Sequence, residues 1–169
     1  MAETKPRLGK ADWLDAGLAV LETSGPEALA AEPLARTLGT TKGSFYWHFK
    51  DVPAFRLAVA AAWAERAVAV LMEAPDRESH TDALLRLSRP DPAEATMRGW
   101  GRQEPLVGEI VTALDGARRA ALVKTLGELG LTNPEFAQIV HAAVIGMETL
   151  GDTAPLSTLL AAILALQEA

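Results

Sequence analysis

Leu34-Ala-Arg-Thr-Leu-Gly-Thr-Thr-Lys-Gly-Ser-Phe-Tyr-Trp-His-Phe-Lys50 is the stretch on which the reading of this chain turns. A short run with Leu34, Ala35 and Leu38 on its inner face stops at Gly39. Glycine suits that stop because it enters left-handed backbone without a side-chain clash. Thr40 or Thr41 can then accept a backbone N–H and cap the next helix. That helix is short, roughly 42–48, and holds Lys42, Ser44, Tyr46, Trp47 and His48, which cannot all be buried. Phe45 and Phe49 lie four apart and are expected to face the core. Helix, glycine turn and polar-aromatic helix together form the pattern of a helix-turn-helix, whose second helix enters the major groove of DNA.

On the N-terminal side, residues 1–9 read as a mobile arm containing Lys5 and Arg7. From Ala11 the pattern turns helical, with Leu14, Gly17, Leu18 and Leu21 on one face. Thr23-Ser-Gly-Pro26 ends that helix. Residues 27–38 form the second helix, with Leu29 tucked in ahead of it and Pro33 in its first turn, where the missing N–H costs little.

On the C-terminal side, Asp51 is a good cap for a long alanine-rich helix from Val52 to about Ala74. Phe55, Val59, Trp63, Arg66 and Val70 trace a stripe along it. Shorter helices follow at 82–87 and 93–102, then a long one from Leu106 to about Leu129. In that long helix Ile110, Leu114 and Leu122 are apolar, and Asp115, Arg118 and Arg119 are read as its polar side. Asn133 and Pro134 start a helix over 134–150, and a last helix over 156–167 is apolar nearly all round. No strand alternation and no internal repeat emerge. The expectation is an all-α chain in two parts, 1–51 and 52–169, with 52–74 linking them.

Composition narrows the partners. The net charge of −6 gives no global attraction to nucleic acid, so any DNA contact needs a local basic patch. Arg36, Lys42 and Lys50 supply one. With no cysteine there is no disulfide or thiol chemistry, which fits a cytoplasmic protein. The first residues lack the apolar run of a signal peptide, and the apolar runs 58–64 and 159–166 are too short to span a bilayer. Three histidines without His-Glu-x-x-His, and no glycine-rich phosphate loop, argue against an enzyme, a cofactor or a metal centre.

Residues 11–63 resemble the N-terminal DNA-binding domain of TetR-family transcriptional regulators. The resemblance is carried by Leu14, Gly17, Leu18, Leu21, Gly25-Pro-Glu-Ala-Leu29, Leu34-Ala-Arg-Thr-Leu-Gly39 and, most specifically, Lys42-Gly-Ser-Phe-Tyr-Trp-His-Phe-Lys50. It implies a three-helix helix-turn-helix head joined by a long helix to a helical ligand-binding and dimerisation domain. It also implies DNA contacts by Thr40, Thr41, Lys42, Gly43, Ser44, Tyr46, Trp47, His48 and Lys50. The chain departs from the family pattern at Ala30, which cannot cap the second helix with its side chain, at Ala31 and Glu32, and at Val52, where a lysine is usual. Fewer phosphate contacts and a shallower salt dependence are expected.

A single head reads few bases, so two heads on a two-fold operator are expected. The apolar excess of the last two helices, with Ala142 and Gly146 four apart, marks them as the homodimer interface. By the same resemblance the body encloses a pocket for a small apolar or aromatic effector. Trp63, Met97, Trp100, Phe136 and Met147 are candidate lining residues, and His141, Glu104 and Arg98 candidate orienting groups. The expected function is thus a ligand-responsive repressor. The alternative is a ligand- or partner-binding helical protein with weakened DNA recognition.

Overall fold

A computed structural model describes residues 8–73 and 75–166. Lys5 and Arg7 of the expected arm, Ala74 and Gln167 lie outside the described residues. Among the described residues there are nine α-helices and no strand. They are α1 (Lys10–Ser24), α2 (Ala31–Thr37), α3 (Lys42–His48), α4 (Val52–Met72), α5 (His80–Leu87), α6 (Glu94–Gly101), α7 (Pro105–Glu128), α8 (Glu135–Leu150) and α9 (Pro155–Ala165). The chain divides into two packed units, one reaching to Trp63 and the other starting at Ala64. The division falls inside α4.

The first unit is built on an aromatic centre. Phe45 is fully buried, and the rings of Trp13, Tyr46, Phe49 and Phe55 all lie 5.2–5.4 Å from it, centroid to centroid. Leu18, Leu21, Leu29, Leu34 and Val59 are further large buried side chains of this unit's core. Trp13, rather than Leu14, is the buried residue at the start of α1, because 13, 17 and 21 form the i, i+4 row that faces inward. Gly17 is required on that row: a Cβ there would stand 2.6 Å from Val59 Cγ2 and 2.8 Å from Phe55 Cζ. Gly17→Ala is therefore expected to destabilise the head by about 1–3 kcal/mol despite alanine's better helix propensity. A lower melting midpoint for this variant is the check.

The segment expected as one helix over 27–38 is two pieces. Pro26–Ala28 makes a single 3₁₀ turn, Leu29 and Ala30 are extended, and α2 begins only at Ala31. The extended pair lets Leu29 drop fully into the core. The stripe on α4 also differs from expectation. Its buried positions are Phe55, Val59, Trp63, Ala67 and Leu71, in steps of four, with Ala60 beside them, while Arg66 and Val70 are exposed. Each step of four turns the row by about 40° around the axis of a helix with 3.6 residues per turn, so the buried side winds around α4 from the first unit to the second.

In the second unit α7 is the central helix, packed against α5, α6 and α8, with α9 lying on α8. Its inner row is Val107, Val111, Leu114, Arg118, Leu122 and Leu126. α6 and α7 meet through Gly101 and Gly108, where a Cβ on Gly108 would stand 2.8 Å from the Gly101 carbonyl oxygen. Arg86 of α5 holds the end of α4: its Nη1 donates to the carbonyls of Val70 and Leu71, and its Nε and Nη2 grip both oxygens of Glu78.

Candidate nucleic-acid interface

The turn between α2 and α3 is set by backbone chemistry. The Thr40 N–H donates to Ala35 O at 2.9 Å and the Gly39 N–H to Arg36 O at 3.1 Å, satisfying carbonyls that the end of α2 leaves open. This closure needs left-handed backbone at one residue, and Gly39 supplies it with φ 62°. Thr41 then caps α3, its Oγ1 accepting from the Ser44 N–H at 3.3 Å. At the far end, Asp51 Oδ1 accepts from Ala54 N at 2.8 Å and starts α4. A helix of seven residues is thus fixed at both ends and bolted to the core by Phe45.

With Phe45 and Phe49 inward, the remaining side chains of α3 have nowhere to go but out. Trp47 is 89% exposed and Tyr46 49% exposed. Thr41, Lys42, Gly43 and Lys50 are exposed, and Thr40, Ser44 and His48 are half-buried. Gly43 is not demanded by packing, since a Cβ there would meet nothing closer than Thr41 Oγ1 at 3.6 Å. Lys10 adds a cation at the end of α3, its Nζ 5.6 Å from the centre of the Phe49 ring. Arg36 is exposed, but Glu32 stands 3.7 Å away and offsets its charge. Ala31 is buried and so offers no contact of its own.

Residues 14–51 match the family described as "Bacterial regulatory proteins, tetR family". The chain carries a TetR-family head. Solved structures agree on the fold. A transcriptional regulator from Rhodococcus sp. Rha1 superposes with a TM-score of 0.71 at 19% identity, over 95% of this chain and 94% of that one. GusR of Salmonella enterica gives 0.67 at 17% identity, over 99% of both chains. NemR of Escherichia coli gives 0.67 at 17% identity, over 91% and 94%. Curated protein sequences yield no match. At such identities the likeness beyond the TetR head is one of fold.

The second unit holds a buried charge cluster that the sequence does not announce. Glu94 of α6 is 1% exposed and grips Arg118 of α7 through both oxygens, with Nη1 to Oε2 at 2.9 Å. Arg98 Nη2 reaches Glu94 Oε2 at 3.2 Å. The same guanidinium pairs both Asp115 oxygens, at 2.6 and 2.8 Å. His141 of α8 closes the chain with Nε2 3.3 Å from Asp115 Oδ1. Burial works against ionisation of Asp115, but the Arg98 hydrogen bonds and neighbouring His141 outweigh it and hold the carboxyl well below its usual range. Half-buried Glu148 is pushed up, first by burial and then by Glu94. Arg118, read from sequence as part of the polar side of its helix, is 4% exposed, because 114, 118 and 122 are successive turns of the inner row. That spacing was the available signal.

Of the pocket candidates, Met97, Trp100 and His141 are buried, and Phe136 and Met147 half-buried. These five sit on α6 and α8, which touch. Trp63 is buried but belongs to the first unit. Arg98 is committed to the cluster, and Glu104 is exposed at the start of α7. On the outer side of α8, Ile139, Ala142, Gly146, Thr149 and Leu150 are exposed, with Leu150 at 83%. α9 exposes Ser157, Thr158, Ala161, Ala162, Ala165 and Leu166. Among the described residues no helix is long and apolar enough to cross a membrane, and no group of acidic or histidine side chains has metal-binding spacing.

Proposed function

We propose that this TetR-family regulator is a dimeric transcriptional repressor. α3 reads a palindromic operator, and a small effector bound in the second unit releases it. The observation that carries the reading is the exposure of Tyr46 and Trp47 on a helix fixed at both ends. The fold uses Tyr46 for one edge-on contact with Phe45 and leaves Trp47, 89% exposed, beside it between Lys42 and Lys50. A duplex gains a stacking and phosphate-contacting surface from them. Lys42 reaches base edges or phosphate, and Gly43 lets backbone approach the duplex closely. Thr40, Thr41, Ser44, His48 and Lys50 position the helix on the backbone.

Small and apolar residues on the outer faces of α8 and α9 support pairing of two chains there, which would set two heads on one operator. Met97, Trp100, Phe136, His141 and Met147 favour an apolar or aromatic effector. The site of action would be the cytoplasm. The competing reading, a ligand- or partner-binding protein with weakened DNA recognition, draws on the buried Ala31 and the Glu32 carboxylate beside Arg36.

The test is selection of duplexes from a random pool, alongside footprinting on DNA flanking the gene. A palindromic site is expected. Lys42→Ala and Tyr46→Ala should each weaken binding roughly tenfold or more, since one good base or phosphate contact is repeated in both half-sites. Absence of any selected site at moderate salt would remove the repressor reading. Retained effector or partner binding in those variants would support the alternative.

A further inference from the structure

The start of α2 lacks the usual means of holding a helix end. Ala30 has extended N-cap backbone (φ −138°, ψ 145°) but no side-chain acceptor. Pro33, at the third helical position, has no N–H, which leaves the Glu32 N–H as the donor that a side chain at position 30 could satisfy. The hold comes instead from α4. Arg56 Nε donates to Leu29 O at 3.2 Å, Nη2 donates to Glu27 O at 3.2 Å, and the Glu27 carboxylate stands 3.9 Å from Nη2. Both carbonyls belong to the bridge that leads from α1 into α2. The Arg56 side chain is 31% exposed, so its hydrogen bonds are partly shielded from water.

We propose that Arg56 is the positioning residue that stands in for the missing cap. It holds the bridge 26–30 through two carbonyls and so sets where α2 begins. α2 in turn presents α3 through the Gly39 turn. A planar guanidinium suits this task because one rigid fork reaches both acceptors, whereas a lysine ammonium is a single point of charge. The proposal rests on the DNA-binding reading of the head, and it assigns Arg56 no contact with DNA.

The experiment uses the full chain with Arg56→Met, Arg56→Lys, Ala30→Ser and the Arg56→Met/Ala30→Ser double variant. Amide hydrogen exchange at Leu29 and Leu34, whose N–H groups donate to Pro26 O and Ala30 O, is read without DNA. Affinity for the selected duplex is read across a salt series. Arg56→Met should speed exchange at these amides and lower affinity, each by about tenfold. The slope of log affinity against log salt should stay unchanged, because no phosphate contact is lost. Arg56→Lys should fall between parent and Arg56→Met, and it carries the comparison if Arg56→Met unfolds the head. Ala30→Ser should recover more in the Arg56→Met background than it adds to the parent, since only there is the start of α2 loose. Three results would overturn the proposal: unchanged exchange, a salt slope lowered by about one unit, or equal gains from Ala30→Ser in both backgrounds. Failure of the parent chain to bind DNA removes the repressor reading, and the exchange arm then decides on Arg56 alone.

Discussion

Glu94→Ala is expected to cost the second unit about 3–5 kcal/mol, because it leaves the buried Arg118 guanidinium without its partner. Arg118 is 4% exposed and both its Nη atoms are committed to Glu94. Water does not reach the freed charge, so desolvation is no longer offset. Arg98 keeps Asp115 and loses only its second acceptor, which makes Arg118 the main source of the loss. A domain of ordinary stability has about 5–15 kcal/mol in hand, so the variant should lie near its unfolding threshold at 37 °C. Urea titration followed by helical circular dichroism measures it. Replacing both Glu94 and Arg118 by methionine should recover most of the loss, because an apolar pair of similar volume needs no charge compensation. A single-variant loss below about 1 kcal/mol would show that solvent already reaches this pair.

The same cluster shows what sequence can and cannot announce. The Gly39 turn, a threonine cap at 40 or 41, the Asp51 cap and the inward Phe45 and Phe49 are local devices, each decided by residue type at a fixed short spacing. They were legible in the chain, and the structure places them as expected. The all-helical class was legible for the same reason. Arg118 was not, because its burial depends on Glu94, 24 residues earlier and on another helix. A charged residue is read as exposed until a partner is known, although its place between Leu114 and Leu122 pointed inward. Trp13 was passed over for Leu14 because neighbouring helical positions differ by only 100° and both are apolar. Arg56 was invisible as a support for α2, since its acceptors are backbone carbonyls that carry no residue signature. Local chemistry was readable, then, and pairing across helices was not.

Phe45 and Trp47, two residues apart on α3, should respond to truncation differently. Phe45→Ala removes a ring that is fully buried and meets Trp13, Tyr46, Phe49 and Phe55. Loss of a buried phenyl group costs about 3–5 kcal/mol through lost transfer energy and the cavity left behind. Four edge-on or tilted ring contacts go with it, each worth about 0.5–1.5 kcal/mol beyond area in favourable cases. A unit of this size buries a smaller fraction of its surface than a large domain and has little reserve. The head is therefore expected to be largely unfolded at 37 °C, with DNA binding abolished. Trp47→Ala removes a larger ring from a side chain that is 89% exposed, so stability should change by no more than about 0.5 kcal/mol. Its operator affinity should nonetheless fall several-fold. Two-dimensional amide spectra of labelled protein separate the cases: dispersed head resonances should collapse for Phe45→Ala and persist for Trp47→Ala, while the gel shift weakens in both. Parent-like operator binding by Trp47→Ala would take that ring out of the interface, leaving Lys42, Tyr46 and Lys50 to hold the duplex.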